Sequence, residues 1–183
     1  MNASHALPTA RDVVAFWRDA GYAKWFRGGE AFDAEVRARL ETAHFAAARR
    51  ELEGWMDEAE GALALLVLLD QVPRNIFRGS AHSYATDPLA LHYARRMLEA
   101  GQDQEIDGPL RMFCYMPFEH SEDLLDQEQA VALMRDLGDE ALDYAVQHHG
   151  IIERFGRFPH RNHALGRVNT ADEQAWLDAG GGF

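Results

Sequence analysis

The longest apolar run of the chain is ALALLVLL at residues 62–69, and the polar sequence DQVPRNIFRG follows it at residues 70–79. A helix formed by the apolar run has no polar face, so it must lie in the middle of the molecule with neighbours on every side. Eight residues are far fewer than the roughly 20 that a membrane span requires. We therefore expect a buried central helix in a protein with no transmembrane segment.

The composition around this run predicts an all-α protein. Alanine and leucine number 48, whereas valine, isoleucine and threonine number 16, and no long stretch alternates apolar with polar residues. The helix start signals are capping-box spacings at Thr9/Asp12 and Thr170/Glu173, and an N-cap at Asp87 ahead of Pro88. The eight expected helices cover residues 9–20, 30–53, 60–72, 88–100, 109–116, 121–137, 139–156 and 170–179.

The length of 183 residues fits one domain that spans residues 1–183, in which short connections make successive helices antiparallel neighbours. The contents of hydrophobic residues (47%) and charged residues (26%) are typical of a globular protein. Residues 1–7 show no secretory signal, and the single cysteine, Cys114, excludes an internal disulfide. We expect a cytoplasmic protein.

The charge distribution argues against polyanionic partners. A formal net charge of −12 repels nucleic acid and anionic membranes unless the basic residues share one face. Residues 119–143 hold nine acids and one base, whereas residues 154–167 hold four arginines and no acid. Arginine favours forked contacts to a carboxylate or a phosphate. We therefore expect no nucleic acid and no membrane among the partners, whereas a small anion remains suitable.

A repeated arrangement, in which an apolar helix runs into a proline and a polar cluster follows, occurs three times. The three clusters are residues 70–79 with Pro73, residues 116–123 (MPFEHSED) with Pro117, and residues 155–163 (FGRFPHRNH) with Pro159. Proline lacks an amide hydrogen and disfavours helical geometry in the preceding residue, so each one predicts a helix exit. If consecutive helices alternate in direction, the three exits lie on one side of the molecule and the clusters face one another.

These clusters predict a polar, arginine-lined pocket. We expect the arginines to outnumber the local carboxylates and to bind a small anion or the acidic end of a peptide, oriented by asparagine amides and by a histidine. The predicted ligand-binding residues are Asp70, Arg74, Asn75, Arg78, Glu119, His120, Ser121, Glu122, Arg157, His160, Arg161 and Asn162.

Two other interpretations of the clusters stay open. In one, the carboxylates simply pair with the arginines and stiffen a scaffold whose partner binds elsewhere. In the other, the protein is a hydrolase in which His120 acts as a general base and Glu119 or Glu122 orients it. The histidine and acidic spacings that are typical of zinc proteases and di-iron bundles are absent or isolated, so we expect no metal and no cofactor.

The motifs also resemble a known family. The segments LDQVPRNIFRG (69–79), TDPLAL (86–91), PFEHSE (117–122) and RFGRFPHRN (154–162) are similar to family nine hundred and twenty-four of the bacterial domains of unknown function. The similarity extends over essentially the whole chain, up to the terminal Gly-Gly-Phe. It implies an all-helical, tetratricopeptide-like stack of antiparallel helical hairpins and cytoplasmic residence. It implies no activity, although that fold usually carries binding surfaces.

Overall fold

The structure, a computed structural model, describes residues 7–182, and over this range the chain forms eight helices and no β-strand. The helices are α1 (Ala10–Arg27), α2 (Gly29–Ala48), α3 (Ala59–Leu66, Val67–Gln71 and Val72–Ile76 in continuous succession), α4 (Asp87–Glu99), α5 (Met112–Glu119), α6 (Leu124–Met134), α7 (Asp139–Phe155) and α8 (Ala171–Asp178). Short 3₁₀ turns lie at Glu53–Asp57, Ala81–Tyr84, Gln102–Glu105, Gly108–Arg111, Arg135–Leu137 and Pro159–Arg161. The predicted all-α class and the predicted number of helices are confirmed, whereas tetratricopeptide-like stacking stays a prediction.

The two predicted capping boxes are confirmed, the predicted N-cap at Asp87 is wrong by one residue, and the helix ends differ by a few residues. Both capping boxes form at the starts of α1 and α8, and α4 begins at Asp87 with Thr86 in the N-cap position. Helical geometry breaks at Gly21, which has φ 70°, and a further helical segment then continues to Arg27. A break there agrees with the predicted end at residue 20, because glycine takes this left-handed conformation without steric cost. Helix α2 ends at Ala48 rather than at residue 53.

The core of the molecule is α3, as the apolar run predicts. Every side chain from Ala62 to Leu69 is at most 1% exposed. The helix packs against α1, α2, α4 and α5, so it has neighbours on all sides. Burial of a single leucine or valine side chain is worth about 1.5–3 kcal/mol, and this run therefore supplies a large part of the hydrophobic stabilisation.

The prediction that Pro73 ends the central helix is wrong. The helix widens into a π turn at Val67–Gln71, where the amide of Val72 donates to the carbonyl of Val67, and it then continues through Pro73 to Ile76. A proline inside a helix leaves backbone carbonyls without an amide partner, which normally breaks the helix. Here side chains donate the missing hydrogen bonds to these carbonyls.

Three carbonyls of the π turn accept hydrogen bonds from side chains. His44 Nδ1 lies 2.8 Å from the carbonyl oxygen of Leu68, and Thr86 Oγ1 donates to that of Leu69 at 2.5 Å. Arg74 donates to the carbonyl oxygen of Asp70. Burial lowers the pKa of His44, which keeps the ring neutral with one N–H to donate. These bonds allow the helix to pass the proline.

Of the other two prolines, Pro117 also differs from the expected helix exit, whereas Pro159 follows a helix end as predicted. Pro117 lies inside α5, which continues to Glu119 with His120 as its C-cap. Gln127, fully buried, donates from Nε2 to the carbonyl oxygens of Glu119 and Ser121 at 2.6 and 2.7 Å and so satisfies the end of this helix. Helix α7 does end just before Pro159, but its C-cap is the left-handed Gly156.

Two glycines in helices predict opposite effects of alanine. A Cβ atom at Gly61 in α3 would lie 2.1 Å from the backbone oxygen of Trp55, whereas nothing lies within 4 Å of the corresponding position at Gly150 in α7. We expect Gly61→Ala to lower the free energy of unfolding by about 1–3 kcal/mol through overpacking. Gly150→Ala is the matched control and should raise it by about 0.5–1 kcal/mol through helix propensity. Urea unfolding of both variants measures the two changes, and a stabilising Gly61→Ala would contradict this packing.

Candidate functional site

The three proline-containing segments contact one another. Asp70 Oδ1 lies 2.7 Å from His120 Nδ1, which joins the first segment to the second. Arg161 Nη1 donates to the carbonyl oxygen of His120 at 3.0 Å, and the amide of Phe158 donates to Glu122 Oε1 at 2.8 Å, which joins the second to the third. The ends of α3, α5 and α7 thus meet on one side of the molecule, as alternating helix directions predict.

A buried polar network surrounds Asp70, which is 1% exposed. Its Oδ2 accepts from Gln71 Nε2 at 2.6 Å, and its Oδ1 is 3.3 Å from Arg74 Nη1 in addition to the contact with His120. Arg74 also forms a two-pronged ion pair with Asp87, in which both nitrogen–oxygen distances are 2.9 Å. Such forked, charge-assisted contacts are among the strongest polar interactions in proteins.

The electrostatics of this network fix the charge states. Burial by itself would raise the pKa of Asp70, but the positive Arg74 and the hydrogen bond from His120 outweigh it and hold that pKa well below its ordinary value. Burial, followed by the neighbouring Arg74 charge, lowers the pKa of His120. At neutral pH Asp70 is therefore an anion and His120 is a neutral ring. Because a carboxylate only accepts, Nδ1 of His120 carries the hydrogen and donates it.

Arg161 lies next to this network and contacts Asp87 and the backbone of His120. It is 5% exposed, lies over the rings of Tyr84 and Phe158 with centroid distances of 4.7 and 4.2 Å, and has an ion pair with Asp87 at 3.5 Å. Burial, together with repulsion from Arg74, lowers the pKa of Arg161 to about 10. Burial conversely raises the pKa of Asp87. Arg161 nevertheless stays charged at neutral pH.

The excess of arginine that the sequence predicts is not present in the structure. Each of the four arginines has a carboxylate partner, and most of those partners come from outside the three segments. The pairs are Arg74 with Asp70 and Asp87, Arg78 with Asp33, Arg157 with Glu173, and Arg161 with Asp87. The prediction counted only carboxylates near in sequence, and Asp33, Asp87 and Glu173 lie beyond that range.

The remaining predicted residues take individual positions in this region. Ser121 donates to Asp126 at 2.7 Å, and the Glu122 carboxylate binds both terminal nitrogens of Arg167. Asn162 is 1% exposed and bonds to Asn169. The carboxylate that contacts the His120 ring is Asp70, whereas Glu119 contacts His148 at 2.9 Å and Glu122 faces Arg167.

A cleft of about 780 Å³ opens beside the Asp70 network. Its size is within the 300–1,000 Å³ that is usual for small-molecule sites. The polar lining comprises Gln71, Arg74, Asn75, Arg78, Glu119, His120, Glu140 and His148. The apolar and aromatic lining comprises Tyr22, Trp25, Phe26, Pro109, Met112, Met116, Met134, Leu137, Ala141 and Tyr144, with Gly108. The cleft therefore offers both polar and apolar side chains to one ligand, and we refer to these two sets of lining residues as the polar wall and the apolar wall.

The structure brings five of the twelve predicted site residues to this cleft. Those five are Arg74, Asn75, Arg78, Glu119 and His120. The other seven do not line it, and they are Asp70, Ser121, Glu122, Arg157, His160, Arg161 and Asn162. Asp70 and Arg161 support the cleft from behind through their contacts with His120. The third segment thus acts as a support for the polar wall.

Sequence reasoning missed the contribution of α7. Glu140, Tyr144 and His148 are four residues apart, so they lie on one face of that helix, and all three line the cleft. His148 Nδ1 contacts Glu119 Oε1 at 2.9 Å, and the rings of His148 and His120 have centroids 6.1 Å apart. The four-residue spacing of Glu140, Tyr144 and His148 was the sequence signal that could have predicted a second histidine at the site.

Between residues 7 and 182, no group of three or more histidine, cysteine, aspartate or glutamate side chains is arranged to hold a metal ion. No helix in the same range is both long enough and apolar enough to cross a membrane.

Comparisons with known proteins agree with the sequence motifs. The sequence model of the family described as "Bacterial protein of unknown function (DUF924)" matches residues 13–181. A solved structure of a protein of unknown function, ATU0120 from Agrobacterium tumefaciens, is 51% identical in sequence and superimposes with a TM-score of 0.91, covering 93% of this chain and 97% of its own. No curated protein gives a match. On this similarity over almost its full length, the chain belongs to the DUF924 family of bacterial proteins.

Proposed function

We propose that the protein binds a small molecule in the 780 Å³ cleft, with an apolar body and an anionic end such as a carboxylate or a phosphate. The observation that carries this proposal is that one cleft is lined both by methionine and aromatic side chains and by the cationic side chains of Arg74 and Arg78. The acidic end of a peptide has the same chemistry and would reach the polar wall. Pockets of this kind take most of their binding free energy from apolar contact and their specificity from a few polar groups.

The apolar wall suits an alkyl or aromatic group. Met112, Met116 and Met134 contribute flexible, polarisable side chains that adapt to different shapes. Phe26 and Tyr22 are each 43% exposed, and their rings lie 4.9 Å apart beside this wall. Exposed aromatic surface next to a cleft is covered when a ligand binds, and burial contributes about 25 cal/mol per Å² of apolar surface.

The polar wall suits the anionic end. Arg78 keeps 64% of its side chain exposed, and it donates two hydrogen bonds to Asp33, each 2.9 Å long. A guanidinium has five N–H donors, so these two bonds leave capacity for a ligand. Asn75 also donates to Asp33, at 2.8 Å, which fixes this edge of the cleft. The negative net charge of the whole chain disfavours polyanions, so a small anion fits better than nucleic acid.

We also propose that the protein works in the reducing cytoplasm. Its single cysteine, Cys114, is a buried thiol, and burial raises its pKa to about 12. A thiol of this kind has no disulfide partner within the chain and little reactivity.

The binding proposal predicts stabilisation by amphipathic anions. We expect octanoate to raise the melting temperature more than acetate, inorganic phosphate or octanol, because it alone uses both walls. Arg78→Ala should weaken octanoate binding about tenfold or more, since a hydrogen bond to a charged group contributes about 1.5–3 kcal/mol. Thermal shift and titration calorimetry measure both effects.

A matched control tests the position of the arginine. Arg49 is also exposed and forms a comparable two-pronged pair with Glu51, but it does not line the cleft. Arg49→Ala should leave octanoate binding unchanged. Equal effects of the two substitutions, or no stabilisation by any of the four compounds, would contradict the proposal.

A further inference from the structure

We propose that Asp70 and His120 make this cleft hydrolytic, with His120 as a general base that activates water to attack a carboxylic ester of a bound ligand. The inference rests on the binding function proposed above, because it needs the cleft to hold the acyl group.

The geometry of His120 suits a general base. Asp70 Oδ1 accepts the hydrogen of His120 Nδ1 at 2.7 Å, so the lone pair of the ring lies on Nε2. His120 lines the cleft. A histidine whose Nδ1 is held by a carboxylate has a fixed tautomer and orientation, which is the arrangement that general-base catalysis requires.

Three neighbouring side chains hold Asp70 in one orientation. Its two oxygens contact Gln71 at 2.6 Å, His120 at 2.7 Å and Arg74 at 3.3 Å, and the side chain is almost fully buried. The carboxylate cannot rotate without losing at least one of these contacts. Asp70 is therefore a positioning residue, and the ring that it holds is neutral and able to accept a proton at neutral pH.

Arg74 places a cation beside this base. Arg74 lines the same cleft, and its Nη1 approaches the same Oδ1 atom that binds His120. Negative charge develops on the carbonyl oxygen of an ester during attack by water. A fixed cation in a partly dehydrated site stabilises that charge far more than it would in bulk water.

The reaction balances with water as the only co-reactant. A water oxygen bonds to the ester carbon while one water proton passes to Nε2 of His120, and the carbonyl electron pair moves to the oxygen beside Arg74. The intermediate then re-forms the carbonyl, the carbon–oxygen bond to the alcohol breaks, and the leaving oxygen takes the proton from Nε2. The products are a carboxylic acid and an alcohol, and His120 returns to its neutral state.

The experiment measures hydrolysis of p-nitrophenyl acetate, butyrate and octanoate by the full chain, together with octanoate binding. We expect turnover above the buffer rate, and we expect His120→Gln to lower kcat/KM by at least about 100-fold. His92→Gln replaces an exposed histidine of α4 outside the cleft and should leave kcat/KM unchanged. Octanoate should still bind to the His120→Gln protein, because Arg78 and the apolar wall remain. Partial rescue of His120→Ala by added imidazole would support the role of the ring independently of folding.

The pH profile separates positioning from mere structural support. The titratable groups around His120 are Asp70, Arg74, Asp87, His160 and the pair of Glu119 with His148, and Arg161 contacts the His120 carbonyl. We expect kcat/KM to fall on acidification with a midpoint below the ordinary histidine value. Asp70→Asn should move this midpoint further down, because it removes the nearest negative charge.

Each outcome has a definite meaning. If octanoate binds and no ester is hydrolysed above the buffer rate, the hydrolytic inference is overturned while the binding function stands. If octanoate does not bind and no ester is hydrolysed, both are overturned. Hydrolysis that His120→Gln and His120→Ala leave unchanged overturns the assignment of the base.

Discussion

Asp70→Ala lowers the free energy of unfolding by about 3–5 kcal/mol, the range that is typical when one partner of a buried ion pair is removed. The substitution leaves Arg74, Gln71 and His120 in a buried site without the carboxylate that accepts from them. Arg74 keeps its ion pair with Asp87, but the buried donors of His120 and Gln71 lose their acceptor, and each buried donor without an acceptor costs about 1–3 kcal/mol. Urea unfolding at neutral pH, followed by circular dichroism, measures the difference.

Two further variants test this explanation. Asp136→Ala removes an exposed aspartate from a 3₁₀ turn and should change the free energy by no more than about 0.5 kcal/mol. Asp70→Ala combined with Arg74→Met removes both partners of one contact, so the double variant should lose less than the sum of the single losses. If the loss of the double variant equals the sum of the two single losses, or if Asp70→Ala loses less than about 1 kcal/mol, the network does not stabilise the fold.

The second large effect is a loss of stability on mild acidification. The pKa values of His44, His120 and His160 are all lowered in the folded protein, mainly by burial, and that of His160 falls to about 4. For such groups the unfolded chain binds protons more readily, so stability is fully present above about pH 6.5 and is lost as the pH falls. Between pH 6.5 and 5, protonation of His160 in the unfolded state lowers the free energy of unfolding by about 2 kcal/mol. The partial exposure of His160 in the folded state reduces this loss to about 1–2 kcal/mol.

Carboxylates act mainly at lower pH. The lowered pKa values of Asp33, Asp70 and Glu122 contribute stability that is lost only below about pH 4, whereas the raised pKa of Asp87 acts in the opposite direction. The decline between pH 6.5 and 5 therefore belongs to the histidines. The lowered pKa values of His44 and His120 add to the loss from His160 in the same direction.

Urea unfolding at pH 8, 6.5 and 5 tests this prediction. His160→Gln should reduce the slope of stability against pH by close to one proton, since glutamine cannot titrate. The measurement at pH 8 is an internal control, because there the histidines are neutral in both states and any difference reports lost packing alone. If His160→Gln leaves the slope of stability against pH unchanged, the loss of stability does not come from His160.

Much of the fold could be predicted because the decisive signals are local. The apolar run at residues 62–69 predicts a central helix through its composition, and the Thr9 and Thr170 capping boxes predict two helix starts through spacing. The rule that a helix ends at proline failed at Pro73 because its exceptions depend on distant residues. His44 and Thr86 satisfy the freed carbonyls, and nothing near Pro73 in the sequence indicates them.

The candidate site could be predicted only in part for the same physical reason. The three segments meet because their helices point in one direction, which follows from short connections. Charge balance, however, depends on which carboxylates fold against each arginine, and Asp33 reaches Arg78 from 45 residues away. The apolar wall shows no motif at all, since its methionines and aromatic residues come from four separate helices and each would suit an ordinary core.

The π turn at Val67–Gln71 determines the direction in which the end of α3 faces. One extra residue per turn advances the following side chains by about 100° around the helix axis relative to an unbroken α-helix. A chain that lacked this residue would have a more regular helix, yet Arg74 and Asn75 would point away from the cleft they now line. The π turn thus rotates the second half of α3 relative to the first. The first half can therefore be wholly apolar, while the second half directs its charged side chains into the cleft.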